Sequence, residues 1–330
     1  MTRMRYTQAI NETLLAEMER NPDIVLFGED IELSIFGDTR GAISKFGPSR
    51  VRNTPICEAT LAGMAVGAAA TGRRVVFHLF FTNFIYTAMD AIGNQMSRLK
   101  LMSGGQVDLP ITVLAVYGGG ASNAAQHSDA VPPSLLNVGG IDVVVPATPA
   151  DAKGLLTTAL RSPTPTFFLT GAGLGATAGD VPDGDYAIPL GKAAILAEGS
   201  DVTIVTIGST IRVAQDAAKA LTADGISVEL IDIRSLVPLD EETIFRSVAK
   251  TGRLIVVDEG RERCSAASEI AAATVEKAFS SLRAPIVRIA SPNVSLPYAP
   301  VAEAAVMPSA ERVFQAARSL VGQFEEVAAQ

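Results

Sequence analysis

The sequence is poor in the residues that build disulfide scaffolds and most transition-metal sites. It contains only two cysteines, Cys57 and Cys264, and two histidines, His78 and His127, among 330 residues. Two cysteines are too few for a disulfide framework or a thiolate metal site. The histidines show no metal-ligand spacing such as HxxxH, so the sequence also argues against a two-histidine metal site.

Long apolar runs and an excess of positive charge are missing as well. A membrane-spanning helix needs roughly 20 consecutive apolar residues, but the closest run, residues 59–70, is rich in small side chains and is soon followed by Arg73 and Arg74. The formal net charge of -8 disfavours binding to nucleic acids or anionic membranes. The N-terminal residues lack the apolar block of a signal peptide. We therefore expect a soluble, cytoplasmic protein.

The composition provides ample material for hydrophobic cores. The 330 residues, 48% of them hydrophobic, correspond to about two domains at roughly 150 residues each. Apolar runs such as VVFHLFF, ITVLAVY and DVTIVTIG alternate with segments of helical spacing, which is typical of parallel α/β sheets. The predicted helices of the first half include residues 6–20, 59–70 and 85–102.

A change in composition divides the chain. Residues 1–175 and residues 191–330 both carry the alternating α/β pattern, whereas residues 176–190 are rich in Gly, Asp and Pro and lack periodicity. Such a segment indicates an interdomain linker. We therefore predict an α/β protein with two doubly wound domains joined by residues 176–190.

Glu58 is the carboxylate that the sequence singles out. It begins a helix of small residues and has Ile56, Cys57 and Leu61 near it, with Cys57 expected to be buried. An acid at a helix N-terminus complements the helix dipole. In apolar surroundings it can instead share a proton with a heterocycle, and the sequence leaves both interpretations open.

The two histidines call for different interpretations. His127 lies in a glycine-rich loop after the apolar run ITVLAVY, and loops at the carboxyl ends of parallel strands form the ligand crevice of open α/β sheets. The alternative interpretation is that His127 is a loop histidine exposed to solvent. His78 lies inside the run VVFHLFF, where a histidine bonded to a structural partner is the simpler interpretation.

Two acidic pairs, Glu29–Asp30 and Asp258–Glu259, end apolar runs. Carboxylates in that position act either as site residues or as caps of the element that follows. The sequence leaves both alternatives open for each pair.

Ordered motifs along nearly the whole chain resemble one known family. They are FGED, FGPSRVRNTPICEATLAGMAVGAAATG, NQMSRLKLMSGG, AAQHS, TPADAKGLL, GSDVTIVTIG, VELIDIRSLVPLDEETI, KTGRLIVVDEG and LPYAP. The chain resembles the β subunit of the thiamine-diphosphate-dependent decarboxylase component of 2-oxo acid dehydrogenase complexes, of the pyruvate, branched-chain or acetoin type. The resemblance implies a transketolase-like pyrimidine-binding domain followed by a transketolase C-terminal domain.

The resemblance also implies roles for residues of the cofactor site. Glu58 would hydrogen-bond a ring nitrogen of the cofactor's aminopyrimidine and favour the imino tautomer, whose nitrogen deprotonates the thiazolium carbon. Phe84 would pack on the aminopyrimidine, and Ile56 and Phe80 would line its pocket. His127, in the AQHS motif, would position the substrate and assist acyl transfer to a lipoyl arm.

One half of the cofactor site is absent from the sequence. The family holds the diphosphate through magnesium on a GDG motif, and here Gly184 and Asp185 stand in a segment without the continuation of that motif. The resemblance therefore implies an α subunit that supplies the diphosphate and magnesium site in an α2β2 heterotetramer. The helix with Gly63 and Gly67 would contact another subunit, a β–β dimer contact is expected, and a lipoyl acyltransferase would be a further partner.

The resemblance implies a structural potassium site as well. Its ligands would be mainly backbone carbonyls, and the positions that correspond to them are Ile111, Ala159, Leu160, Ser162 and Thr164. Ser162 and Thr164 stand where the family usually has Asp and Asn.

The outer pocket departs from the family pattern, and this leaves the substrate open. Asn137 replaces a second family histidine, and residues 171–179 are glycine-rich where the family has an acidic and aromatic segment. Half of a split transketolase or of a deoxyxylulose-phosphate synthase is the alternative enzyme, although basic phosphate-binding residues are not evident near His127. A non-catalytic assembly subunit is the third hypothesis, and the retention of Glu58, His127 and Phe84 argues against it.

Overall fold

The computed structural model describes residues 1–328, which form two compact units. The first unit comprises residues 1–117 and 134–190, and the second comprises residues 118–133 and the chain from Gly191 onwards. In the part of the chain that the structure describes, every helix is too short or too polar to cross a membrane.

The first unit contains a parallel sheet of six strands. Their order is β6–β7–β5–β4–β2–β3. The strands of this unit are β1 (Thr2–Arg5), β2 (Ile24–Gly28), β3 (Val51–Asn53), β4 (Arg74–Phe81), β5 (Ile111–Tyr117), β6 (Asp142–Val144), β7 (Thr166–Gly171) and β8 (Ala178–Val181). All residues of β5 are buried, which explains its continuous apolar sequence, because a parallel sheet is covered on both faces. The predicted parallel α/β architecture is thus confirmed.

The three longest helices of the first unit bury one face each against the sheet or a neighbouring helix. The helices of the unit are α1 (Tyr6–Arg20), α2 (Ala42–Phe46), α3 (Glu58–Ala70), α4 (Leu99–Met102), α5 (Pro133–Asn137) and α6 (Pro149–Arg161). In α1 the buried face includes Ile10, Leu14 and Met18, as their spacing predicts. Thr148 caps α6, because its hydroxyl accepts a hydrogen bond from the Asp151 N–H at 3.1 Å.

The helix expected over residues 85–102 is wrong as a continuous element. The chain instead forms a 3-10 turn at Thr82–Tyr86, a π-helical segment at Ala91–Met96, and α4. The Ser97 hydroxyl donates to the Gly93 carbonyl at 2.8 Å. Side-chain bonds of this kind bend helices, and glycine is a weak helix former, so apolar spacing alone overestimated the regularity of this segment.

Residues 176–190, expected to be a linker, instead pack on the first unit. The strand β8 pairs antiparallel with β1, and the Tyr186 hydroxyl donates to the Ala150 carbonyl at 2.7 Å. Asp185 accepts a hydrogen bond from Arg161 at 2.7 Å. The Gly, Asp and Pro content of this segment is therefore used in turns and ion pairs, which composition alone does not distinguish from a flexible connection.

The second unit has a five-stranded sheet in the order β9–β11–β10–β13–β14, parallel except for β9. The strands of the sheet are β9 (Ala194–Ala197), β10 (Val202–Thr206), β11 (Val228–Asp232), β13 (Leu254–Arg261) and β14 (Val287–Ser291), and the unit also contains the short strand β12 (Ser235–Val237) outside this sheet. Its helices are α7 (Ile211–Ala223), α8 (Glu241–Thr251), α9 (Ala266–Ala278), α10 (Pro300–Val306) and α11 (Ala310–Ala328). One core cluster joins Ile204 and Leu230 of the sheet to Leu221 of α7 and Val313 of α11. This unit confirms the second α/β domain that the sequence predicts.

Candidate functional site

The start of α3 lies at the carboxyl edge of the first sheet. Glu58, the first residue of α3, follows β3, and β3 runs parallel to β2, which in turn runs parallel to β4. The end of β4 carries Phe80, and Phe84 follows in the 3-10 turn. Neighbouring strands are about 4.8 Å apart, so the ends of β3 and β4 lie roughly 10 Å from each other at the edge where ligands bind in such sheets.

The carboxylate of Glu58 has neither a hydrogen bond nor an ion pair with any described residue, although Glu58 is only partly exposed. Close to it in the chain, Ile56 keeps 69% of its surface exposed. Cys57 is exposed as well, and its thiol donates to the Thr60 hydroxyl at 3.0 Å. The expectation that Cys57 is buried is therefore wrong, and the start of α3 presents a carboxylate beside uncovered apolar side chains.

The exposed side of α3 carries small residues and one large one. A Cβ atom added to Gly63 or Gly67 would meet no other atom within 4 Å, and Met64 is 46% exposed. An exposed apolar surface of this kind is typical of a binding interface. The face therefore has room for another polypeptide to pack closely.

Aromatic rings form a connected cluster at the end of β4. The ring centroids of Phe36 and Phe80 are 4.7 Å apart, those of Phe80 and Phe81 5.3 Å, and those of Phe81 and Phe84 6.4 Å. Phe80 has a positive φ of 75° and lies where the register between β4 and β5 shifts. Irregularities of this type re-aim side chains and are common beside active sites. Phe36, His78 and Phe80 also line part of a narrow crevice that leaves no space for a molecule as large as water.

His78 has the structural partner that its apolar position suggests. Its Nε2 lies 3.0 Å from Oδ2 of Asp38, and only 4% of His78 and 7% of Asp38 are exposed. Burial alone would raise the pKa of Asp38, but the charge and hydrogen bond of His78, with two backbone N–H bonds, hold that pKa below its usual value. The interpretation of His78 as a structural histidine is therefore favoured.

His127 belongs to the second unit, which takes residues 118–133 although they directly follow β5. It ends a 3-10 turn, Ala125–His127, and is half-buried. Its backbone N–H donates to the Ala124 carbonyl at 3.3 Å. Ser122 and Ala124 before the turn have positive φ values of 54° and 61°, so the backbone near His127 is held in conformations that such residues seldom adopt.

The two acids near the end of β13, Asp258 and Glu259, have different roles. Asp258 is buried and accepts hydrogen bonds from the N–H groups of Gly260 at 2.8 Å and of Ala267, at the start of α9, at 3.2 Å. Asp258 therefore acts as a helix cap, and burial raises its pKa. Glu259 accepts from the Ser209 hydroxyl at 2.6 Å and from the Gly119 N–H at 3.1 Å. Burial, together with the charges of nearby carboxylates, raises the pKa of Glu259 to about 7.

The carbonyls expected to bind potassium do not fit that ion. Nη1 of Arg74 donates to the carbonyls of Leu160 at 2.9 Å and of Ser162 at 3.0 Å, and Nη2 donates to that of Arg161 at 3.2 Å. A fixed guanidinium at the C-terminal end of α6 already supplies the positive charge that these carbonyls favour, and it would repel a second cation. Two of the five expected ligands, the carbonyls of Leu160 and Ser162, are therefore already bonded to Arg74. Only Ile111, Ala159 and Thr164 remain. In residues 1–328, the described part of the chain, no group of three or more His, Cys, Asp or Glu side chains could hold a metal ion.

Sequence reasoning missed three residues that organise these sites. They are Arg74 on the α6 carbonyls, Asp38 against His78, and Glu303, whose carboxylate accepts hydrogen bonds from the loop before His127. Each acts on a partner at least 40 residues away. A single sequence carries no spacing signal for such contacts, and Glu303 stands among alanines and valines that indicate only a helix.

Comparisons with known proteins identify relatives over nearly the whole chain. Residues 2–175 match the pyrimidine binding domain of transketolase, and residues 191–313 match the transketolase C-terminal domain. The chain is 40% identical to the acetoin:2,6-dichlorophenolindophenol oxidoreductase subunit beta of Bacillus subtilis, over 96% of this chain and 97% of the relative. It is 37% identical to the pyruvate dehydrogenase E1 component subunit beta of the same organism, over 97% and 99%. A split gene transketolase, described as an inactive beta4 tetramer, superposes with a TM-score of 0.81 at 25% identity, covering 97% of this chain and 99% of that one.

The guanidinium of Arg74 provides a test of the potassium assignment. We expect the thermal midpoint of the wild-type protein to be the same in potassium and in sodium at equal ionic strength. Arg74→Met removes the donors and leaves partly buried carbonyls without partners, which costs about 1–3 kcal/mol of stability. Lys100→Met, at an exposed ion pair with Asp108, is the control and should change stability by less than about 1 kcal/mol. A rise in the wild-type midpoint that only potassium produces would show that the ion binds despite Arg74.

Proposed function

The chain belongs to the family of 2-oxo acid and acetoin dehydrogenase β subunits, built from the pyrimidine-binding and C-terminal domains of transketolase, and from this we propose that it is the β half of a thiamine-diphosphate-dependent enzyme. The enzyme decarboxylates a 2-oxo acid, or cleaves acetoin, and transfers the acyl group to a lipoyl group. The observation that carries this proposal is Glu58, a carboxylate without a protein partner at the carboxyl edge of a parallel sheet.

The residues at this edge fit the pyrimidine half of the cofactor. An aminopyrimidine offers two apolar faces and a ring nitrogen, and the edge offers the Glu58 carboxyl group, the exposed Ile56 side chain and the rings of Phe80 and Phe84. When bound, thiamine diphosphate would supply a thiazolium ring, whose carbon adds to the oxo group and whose positive charge accepts the electron pair left behind by carbon dioxide. Glu58 would hold a proton against the pyrimidine nitrogen, and the apolar side chains would exclude water from that hydrogen bond.

His127 would act on the substrate side of the reaction. An imidazole has two ring nitrogens that can donate or accept a proton, so His127 would hold or release a proton as the acyl unit passes to the lipoyl disulfide, which is reduced in that transfer. The surrounding loop consists of small and polar residues. The acetoin and pyruvate relatives are similarly identical to this chain, so overall likeness assigns neither substrate.

A partner subunit completes the proposed site. The sequence contains no GDG triplet to hold magnesium and the diphosphate, so these groups would bind to an α subunit. The exposed face of α3, with Gly63, Met64 and Gly67, offers a close-packing surface directly beside Glu58. We therefore assign this chain to an α2β2 heterotetramer that contains a β–β contact and delivers its acyl group to a lipoyl acyltransferase.

Half of a split transketolase is the second candidate. The similarity to a split gene transketolase over 97% of this chain supports it, whereas the identities to the dehydrogenase relatives are higher. Lipoamide-dependent acyl transfer by the holoenzyme would favour the dehydrogenase, and ketose transfer without lipoamide would favour the transketolase. Absence of both activities would favour an assembly subunit.

Replacement of Glu58 tests the cofactor assignment. Glu58→Gln keeps the size of the side chain but cannot share a proton as a carboxyl group does, so we expect hydrogen–deuterium exchange at the thiazolium carbon to slow by at least about 100-fold in the holoenzyme. Glu12→Gln, on an exposed carboxylate of α1, is the matched control. Exchange at the wild-type rate in Glu58→Gln would contradict the assignment.

Cofactor binding by the separate chain tests the divided site. We expect the chain alone to bind thiamine diphosphate and magnesium at least about 100-fold more weakly than the holoenzyme does, because the charged half of the cofactor lacks its partners. Calorimetric titration of both forms measures this. Equal affinities would mean that this chain holds the diphosphate by itself.

The two histidines provide an internal comparison. We expect His127→Ala to lower lipoamide-coupled turnover by about 100-fold with little change in thermal midpoint, since few core contacts depend on it. His78→Ala leaves the Asp38 carboxylate buried without its partner and should cost about 3–5 kcal/mol of stability. Coupled turnover, artificial-acceptor turnover and thermal unfolding would be measured for both variants. Full coupled turnover in His127→Ala would exclude it from the reaction.

A further inference from the structure

The segment that carries His127 has almost no apolar side chains with which to fix itself. Residues 118–129, here called the histidine loop, consist of Gly, Ala, Ser, Asn, Gln, His and Asp. Its backbone polar groups therefore need definite partners if the loop is to hold one conformation. Those partners are mainly two carboxylates of the second unit.

Glu303 uses both carboxylate oxygens on the histidine loop. It lies in α10 and is only 3% exposed. Oε1 accepts from the Gly120 N–H at 2.9 Å, and Oε2 accepts from the Ser122 N–H at 3.0 Å and the Ser122 hydroxyl at 3.3 Å. Hydrogen bonds to a charged acceptor are stronger than neutral ones, and these hold the backbone two residues before the positive φ of Ala124.

The start and the end of the loop are fixed as well. Glu259 accepts from the Gly119 N–H at 3.1 Å, and a Cβ atom at Gly119 would lie 2.8 Å from the Leu296 side chain and 2.9 Å from the sulfur of Met307. At the other end, Arg261 donates to Asp129 at 2.8 Å. Between these ends, Glu303 holds the backbone of Gly120 and Ser122.

We propose that Glu303 is a positioning residue for His127, which it holds in place by fixing the backbone of Gly120 and Ser122. This inference rests on the role proposed for His127. Glu303 does not need to touch the substrate, because its two oxygens are occupied by the loop. Glu259 is the weaker candidate, since it shares its carboxylate with Ser209 and its pKa of about 7 leaves it partly protonated near neutral pH.

A double-mutant cycle in the holoenzyme with its α subunit tests this role. Glu303→Gln replaces one acceptor oxygen by an NH2 group that faces N–H donors, so we expect kcat for lipoamide-coupled turnover to fall by about 10- to 100-fold. The buried mismatch also lowers the thermal midpoint, so kcat is measured well below the midpoint of the variant. In the His127→Ala background, the same substitution should cause less than about a twofold further loss. Glu311→Gln, on an exposed carboxylate in the first turn of α11, is the control and should leave kcat unchanged.

The outcomes separate the inference from the function on which it rests. Equal losses from Glu303→Gln with and without His127 would show that Glu303 acts on the protein as a whole and would overturn the inference. Loss in His127→Ala but none in Glu303→Gln would also overturn it, and would leave the proposed function intact. Full turnover in His127→Ala would instead contradict the role of His127.

A second variant covers the case in which Glu303→Gln does not fold. Ser122→Ala removes only the hydroxyl bond to Glu303, and we expect about a 2- to 10-fold loss of kcat that disappears in the His127→Ala background. A loss that persists in that background would overturn the inference. Hydrogen exchange at the amides of Gly120 and Ser122 should be faster in Glu303→Gln, and unchanged exchange would show that the carboxylate does not fix the loop.

Discussion

The candidate site depends on the parallel pairing of β2, β3 and β4. Because these strands run in one direction, the residue that opens α3 and the aromatic rings that close β4 must emerge at the same edge of the sheet. The pairing is close where the backbones meet. A Cβ atom at Gly28 would lie 2.3 Å from the His78 carbonyl oxygen, so a larger residue at Gly28 would force β2 away from β4.

Patterns that repeat over short distances made most of the fold predictable. Buried strands read as continuous apolar runs and α1 shows its helical face, and colinear motifs led to Glu58, Phe80 and Phe84. The parts that could not be predicted depend on polar contacts between distant residues. Asp38 meets His78 across 40 residues, and residues 176–190 join the first unit through strand pairing and ion pairs, neither of which leaves a periodic trace in the sequence.

The contacts of Arg74 give a physical reason why Ser162 and Thr164 are tolerated at the end of α6. Ser162 and Thr164 replace the acid and the amide expected at the potassium position, and the guanidinium lies against the carbonyls at that position. An arginine satisfies the helix carbonyls with directed hydrogen bonds, so further oxygen ligands from side chains are not needed there. Loss of the acid is therefore compatible with a stable end of α6.

The carboxylates of the chain differ in whether the protein itself satisfies them. Asp258 and Glu303 are buried and bonded to backbone N–H groups, and Asp38 is bonded to His78. Glu58 has no such partner among the described residues and lies next to uncovered apolar side chains. A polar group is costly to bury without a hydrogen bond, so any subunit that covers the face of α3 must leave Glu58 a partner. In the proposed heterotetramer, a ligand with a basic ring nitrogen between the two subunits would meet that requirement. The proposed subunit interface and the proposed cofactor site would then share the start of α3.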